Sequence, residues 1–392
     1  MTSEPLDNTK HKPLVNRVVF IILSLMLFLF ALNLMVASLS DYASSFEESI
    51  LSYALDPFIG LFIGLLFTAI IQSSSTTSTM VVAMVATGTI SIGEAIPIIM
   101  GANIGTTLTS TIVALGFISD KRAFRKAVSA GVIHDFYNII LVLILFPLEF
   151  YYSFLSRLSI RINELIVGES VFNSGNEMRK MMDFGVSEQI VGLINNNVIS
   201  LILCFVLLFV SIKLLTNVIK KTVIGDSKNR LRSFVFNKPF KSFGWGVLIT
   251  SAIQSSSVST SLLVPLVATE KIRLKNAFPF IIGANLGTTI TALIAASFNS
   301  EIAMSIALAH LIFNLFGAIL FMSTSFLRSA FVSFIKKFSI VLTRKRVVGL
   351  AYIVITFFLL PFLLISIHKT IVKKEEAIKQ DKIELTASIK LE

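Results

Sequence analysis

Residues 64–109, GLLFTAIIQSSSTTSTMVVAMVATGTISIGEAIPIIMGANIGTTLT, occur twice in this chain. A shift of 182 positions lays them on residues 246–291 without a gap, with about half the positions identical. Internal repeats are the first feature to seek, because they decide the architecture. The identities cluster. Gln72-Ser73-Ser74-Ser75 falls on Gln254-Ser255-Ser256-Ser257, Pro97 on Pro279, and the block Gly101 to Thr107 on Gly283 to Thr289. Further along, His134 and Asn138 answer to His310 and Asn314 with six residues fewer between. What the two copies share is small and polar, set in apolar surroundings.

Composition defines those surroundings. Of 392 residues, 54% are hydrophobic and 15% charged, 34 are Phe, and mean hydropathy is +0.83. That excludes an ordinary soluble domain and indicates an all-α polytopic membrane protein. The net charge of +11 comes from Lys and Arg lying between apolar segments. Such placement follows the positive-inside rule and argues against nucleic-acid binding. The single cysteine, Cys204, lies in an apolar run and reads as a small buried residue.

Residues 1–17 are polar and basic, and residues 18–39 are long enough to span as an uncleaved first helix, with the amino terminus cytoplasmic. Residues 40–56 read as an external link. Residues 58–71 are apolar but too short to cross, and run into eight consecutive Ser, Thr or Gln residues, 72–79. Such a run cannot face lipid, since each unsatisfied group there costs several kcal/mol. A re-entrant hairpin with Gln-Ser-Ser-Ser at its tip meets that constraint. Residues 95–117 cross next, and the two glycines and asparagine of 101–107 predict a discontinuous helix. A basic loop with Lys121 to Lys126 precedes an outward crossing that carries His134, Asp135 and Asn138.

Residues 149–188 read as a polar external loop, 190–212 as a crossing and 213–241 as a basic cytoplasmic linker. The second copy therefore starts on the opposite side from the first. Its hairpin spans 244–268, its interrupted helix 277–297 and its outward crossing 302–325. A basic loop and a last span, 347–367, leave a mixed-charge tail outside. The expected organisation is 1–56 lead-in, 57–148 first inverted repeat, 149–243 connection, 244–326 second inverted repeat and 327–392 final span with tail. It has about seven full crossings in the plasma (inner) membrane.

Inverted repeats with matching interruptions are typical of secondary transporters, whose sites lie near mid-membrane at the repeat interface. Hydroxyl, carboxamide and carbonyl oxygens are hard neutral ligands suited to sodium. Ser hydroxyls and free amides at helix ends suit an oxyanion. Neither motif contains a basic residue, so a bound oxyanion needs cations alongside it, which points to cotransport.

The paired Gln-Ser-Ser-Ser tips, Pro97 to Thr106, and Ala123 to Ala127 leading to His134-Asp135-Phe136-Tyr137-Asn138 resemble the type II sodium-dependent phosphate cotransporters. The resemblance covers about residues 50–365. It implies phosphate binding by Ser73, Ser74, Ser75, Ser255, Ser256 and Ser257, and Asn103 and Asn285 of the two Gly-Ala-Asn blocks are expected to bind phosphate with them. It implies a sodium site at Gln254, Ser255, Thr288 and Thr291, and by the repeat a companion at Gln72, Ser73, Thr106 and Thr109. Asp135 and Asn138 match positions that go with electrogenic transport and are expected to bind sodium as well. The implied partners are phosphate, sodium and the lipid bilayer, with no organic cofactor and no nucleic acid.

Two other readings stand beside this one. The cargo could be another oxyanion, sulfate or a carboxylate. The intramembrane Ser, His and Asp could form a hydrolase, although His134 and Asp135 point about 100° apart on one helix and no Gly-x-Ser-x-Gly elbow occurs. His134 and His310, each four residues before an Asn, read as interhelical hydrogen-bonding groups, and Glu94 as charge suited to a helix amino terminus.

Overall fold

A computed structural model describes residues 12–45, 56–166, 186–194, 196–223, 235–368 and 370, and the elements formed by these residues are all helical. The expected amino-terminal tail before residue 12, the link 46–55, the loop 167–185, the linker 224–234 and the tail beyond 370 lie outside the described residues.

Helix α1 (Lys12–Ser45) packs against α8 (Asn197–Val223), where Ser38 Oγ meets the fully buried Cys204 Sγ at 3.2 Å. The first sequence copy folds as α2 (Pro57–Ile71), α3 (Ser74–Ala86) and α4 (Ile92–Leu115). Asp56 starts α2 by accepting from Phe58 N at 2.8 Å and Ile59 N at 3.0 Å, and Pro57 occupies the first turn, where no amide is needed. Gln72 ends it in the left-handed region, φ 58° and ψ 33°, donating its N–H to Thr68 O at 2.7 Å. Ser73 is extended, and its Oγ accepts from Thr76 N to cap α3.

The second copy repeats this turn. Helix α9 (Pro239–Ile253) ends at Gln254, φ 55° and ψ 29°, and Ser255 Oγ caps α10 (Ser256–Ser261) through Val258 N. The returning arm continues as α11 (Leu263–Ala268), with a break where Pro265 cannot supply an amide hydrogen. Helix α12 (Leu274–Ser297) follows.

The interruptions expected at residues 101–107 and 283–289 are absent. Helices α4 and α12 run through both Gly-Ala-Asn blocks unbroken. The glycines serve a different end. A Cβ on Gly101 would overlap Leu61 O, one on Gly105 would overlap Leu65 O, and Gly283 and Gly287 abut Phe243 O and Val247 O in the same way. Each block is a Gly-x-x-x-Gly contact that brings α2 against α4, and α9 against α12, backbone to backbone. The discontinuity lies instead at the Gln-Ser tips.

The remaining elements are α5 (Lys121–Tyr152), α6 (Phe154–Ile166), α7 (Val186–Ile194), α13 (Glu301–Met322), α14 (Ser325–Leu342) and α15 (Arg346–Val354). A π turn, Ile355–Leu359, carries α15 on to His368. Two of these correct the sequence reading. The external loop assigned to 149–188 contains α6, and the basic loop after residue 327 contains most of α14. Both are amphipathic: Leu155 and Ser159 are buried on one face of α6 while Arg157 and Arg161 sit on the other, with Arg157 exposed.

Five described helices are long and apolar enough to cross a bilayer: Ile92–Leu115, Lys121–Tyr152, Leu274–Ser297, Glu301–Met322 and Val347–His368. Shorter apolar helices include Pro57–Ile71 and Ser256–Ala268, the arms that sequence length alone argues against crossing.

The two copies are interleaved. The helix before each tip lies on its own copy's long helix, α2 on α4 and α9 on α12. The second arm also reaches the other copy: α3 lies between its own α4 and α12 and α13, and α10 and α11 lie on α4 and α5, with α10 also against its own α12. The amphipathic helices follow the same rule, α6 packing on α13 and α14 on α5.

Candidate functional site

The interleaving brings the two tips together. The third serine of each donates to the glutamine carbonyl of the other: Ser75 Oγ to Gln254 O at 2.7 Å, and Ser257 Oγ to Gln72 O at 3.4 Å. Those carbonyls are free because a left-handed residue ends the preceding helix there. Thr291 Oγ1 reaches Ser75 Oγ at 3.5 Å, so Gln254, Ser75 and Thr291 of the expected sodium and phosphate sets converge. A second link joins Ser110 Oγ and Thr260 Oγ1 at 3.0 Å.

Ser74, Ser75, Ser256 and Ser257 are buried in the first turns of their arms, and Ser73 and Ser255 are partly exposed. Thr106 and Thr288 are buried, but their hydroxyls donate to Ala102 O and Ala284 O of their own helices. The two candidate cation sets differ in enclosure. Gln254 is 9% exposed and Thr291 1%, whereas Gln72 is exposed and Thr109 only partly covered. Thr109 Oγ1 itself is buried and has no hydrogen-bond partner.

Asn103 and Asn285 belong to a polar chain that ties the copies together. Asn285 Oδ1 pairs with His134 Nε2 at 2.6 Å, and Asn285 Nδ2 donates to Asn138 Oδ1 at 2.6 Å. Asn138 Nδ2 donates to Asn103 O at 2.9 Å, and Asn103 Oδ1 faces His310 Nε2 at 3.4 Å. Each histidine thus meets the asparagine of the opposite block, in the interhelical role its sequence position suggested. Every member is buried, where a partnered network rigidifies and a broken one is costly.

Asp135 bonds to α4 and α15 rather than to the tip serines. Though next to His134 in sequence, it accepts from Thr111 Oγ1 at 3.0 Å and from Tyr352 OH at 2.9 Å, and is fully buried. With His134 on Asn285 and Asp135 on Tyr352, the Ser–His–Asp relay of a hydrolase is not assembled. Tyr352 and Thr111 were not picked out from sequence. The available signal was a lone tyrosine early in an apolar span, whose hydroxyl needs a buried partner. Tyr352→Phe keeps the ring and removes one donor to the carboxylate, a bond worth about 1.5–3 kcal/mol. A lower thermal midpoint in detergent is expected; an unchanged midpoint would mean that the bond adds nothing.

The family model described as Na+/Pi-cotransporter matches residues 27–168 and 207–344. The sodium-dependent phosphate transport protein 2A of Mus musculus is 28% identical to this chain, covering 88% of it and 68% of the relative. The 2A protein of Ovis aries is 30% identical over 76% of this chain and 61% of its own. The 2B protein of Homo sapiens is 28% identical over 78% of this chain and 58% of its own. The chain therefore spans between 58% and 68% of the length of these relatives. No solved structure matches it.

Proposed function

The chain belongs to the Na+/Pi-cotransporter family, and from that membership we propose that it imports inorganic phosphate coupled to sodium by alternating access. The observation that carries the reading is the reciprocal contact of the two tips, Ser75 with Gln254 and Ser257 with Gln72. It brings Ser75 with Gln254 and Thr291, and Ser257 with Gln72, to one junction between the copies, which supports a shared site there. Phosphate is held by tip hydroxyls and first-turn amides, and sodium by the neutral oxygens of Gln254, Ser255, Thr288 and Thr291. The Gln72, Ser73, Thr106 and Thr109 set is the companion. Its greater exposure marks it as the more open of the two in this conformation.

The two copies are inverted about the membrane plane, with their hairpins re-entering from opposite sides. They form two repeat bodies, 57–148 and 244–326, that rock about the junction. Ser75 and Ser257, whose hydroxyl hydrogens are used across it, hold the tips in register while Ser73, Ser74, Ser255 and Ser256 meet the anion. Asn103 and Asn285 support that pocket from behind. Asp135, with Asn138 one turn on, sets the electrogenic step, where each charge moved inward gains about 2.3 kcal/mol per 100 mV.

The test is uptake of radiolabelled phosphate into proteoliposomes under an inward sodium gradient, against an equal potassium gradient, with valinomycin setting a negative interior. Sodium-dependent uptake that grows with the potential is expected, inhibited by arsenate and not by sulfate. Gln254→Ala should raise the sodium concentration for half-maximal uptake by about tenfold, the equivalent of one lost ligand, while changing phosphate affinity far less. A pure phosphate defect would remove Gln254 from the cation set. Potassium supporting uptake as well as sodium would overturn the coupling.

A further inference from the structure

A cleft of about 760 Å3 opens between the start of α5, the α11–α12 turn and α14. Its walls carry Arg125 and Lys126 from α5, Arg273 and Lys275 from the head of α12, and Lys336 from α14. Arg125 and Ile340 also line a second hollow of about 630 Å3, whose walls carry Lys121, Arg122 and Arg344. Eight cations therefore line two neighbouring hollows. The carboxylate among the lining residues is Glu270, and it is engaged by Lys126. That contact holds the Glu270 carboxyl below the usual carboxylate range. Asp120, at the start of α5, turns its carboxylate to the amides of Arg122 and Ala123, and is not a lining group.

The internal repeat shows how unusual this charge is. At the head of α4, Glu94 accepts the amide of Ser91 at 2.7 Å, an acid at the positive end of a helix. The corresponding positions at the head of α12 are Arg273 and Asn276, with Lys275 replacing Gly93. Arg273 gives no side-chain cap, and Asn276 turns away to donate to Phe236 O. Two cations stand where the helix dipole disfavours them, and the acid that serves the other copy is missing.

We propose that this cleft binds a phosphate-bearing oxyanion through Arg125, Arg273 and Lys336, at a site separate from the serine tips. Arginine's planar fork suits a tetrahedral oxyanion, and lysine adds point charge. The ligand's source is a phospholipid headgroup or free phosphate. The lip favours the lipid, because Ile340 is 52% exposed and Val341 60% exposed beside the cations, a seat for acyl chain next to a seat for charge. A bound anion would bridge α5 of the first copy, α12 of the second and α14 after it, and so stabilise their contact. None of this depends on the transport reading.

The test uses the full chain in neutral detergent and sodium-free potassium buffer, reading thermal midpoint and native mass spectra. The probes are inorganic phosphate, dioctanoyl phosphatidylglycerol and dioctanoyl phosphatidylcholine. Saturable binding of phosphatidylglycerol but not phosphatidylcholine, with a raised midpoint, is expected. Arg125→Gln/Arg273→Gln/Lys336→Gln should weaken it by at least about tenfold, the loss of several charge-assisted contacts. The charge-conserving exchange Arg125→Lys/Arg273→Lys/Lys336→Arg should retain more of it than the Gln triple does, and Arg157→Gln/Arg161→Gln on α6 should leave it unchanged. Equal stabilisation by inorganic phosphate alone, lost in the Gln triple, would support the site with a free anion as its ligand. Absence of anion binding, or binding equally tight in a monodisperse Gln triple, would overturn it.

Discussion

Valine at Gly101 or at Gly283 is expected to leave little or no folded protein. Neither position has room for a Cβ, because the carbonyl of Leu61 or Phe243 occupies that space, with further backbone atoms of α2 or α9 close behind. A neighbouring side chain can change rotamer, but the obstacle here is another helix's main chain. The helices would have to separate along their whole contact. Overpacking a core commonly costs about 1–3 kcal/mol, and separating two backbones costs more, against a total stability of about 5–15 kcal/mol. The controls are Gly93→Ala and Gly244→Ala, where an added Cβ meets nothing within 4 Å. Both should give normal yields, and Gly244→Ala, inside α9, should gain up to about 1 kcal/mol. The readout is the monodisperse fraction on size exclusion. Wild-type recovery of Gly101→Val would mean that the α2–α4 approach is looser than described.

Asn285→Leu is expected to reduce transport more than tenfold while the protein still folds. Leucine nearly matches the volume of asparagine but serves neither partner, leaving His134 Nε2 and Asn138 Oδ1 without the two contacts of 2.6 Å. Each buried polar group so stranded costs about 1–3 kcal/mol in water-soluble proteins and nearer the lower figure in membranes. Together they exceed the 1.4 kcal/mol that corresponds to a factor of ten. Asn103→Leu provides an internal comparison. Its side chain faces His310 at the longer distance of 3.4 Å, and its bond to Asn138 uses the main-chain carbonyl, which the substitution spares. The Asn103 change should therefore be the milder one. Equal defects would show that the network's asymmetry has no functional weight.

The tips were readable in the sequence because a polar run between two short apolar arms has few stable arrangements in a membrane. Gln72 and Gln254 as the turning residues, and Ser73 and Ser255 as caps, follow from that. The glycine blocks were read the wrong way for a physical reason. Gly-x-x-x-Gly suits both a helix that breaks and one that lies hard against a neighbour, and only the partner's position decides. Helices α6 and α14 were hidden by their charges. Arg157, Arg161 and Lys336 read as loop composition, while the buried face carrying Leu155, Ser159 and Ile335 has helical spacing that a count of charges does not register. The partners of Asp135 come from α4 and from α15, which begins more than 200 residues later, and no local pattern joins them.

The exchange of returning arms has a consequence for how the chain is made. Helix α3, with Ser74 to Thr79 all buried, finds its bed on α12 and α13, residues that have yet to be translated when α3 leaves the ribosome. At about 5–20 residues per second, roughly 10 to 40 seconds pass before α12 exists. Throughout that time the face of α3 that will meet α12 and α13 has only the first copy and α1 beside it. A nascent chain stopped near residue 240 is expected to be held by the insertion machinery or degraded, and release into the bilayer awaits synthesis of the second copy.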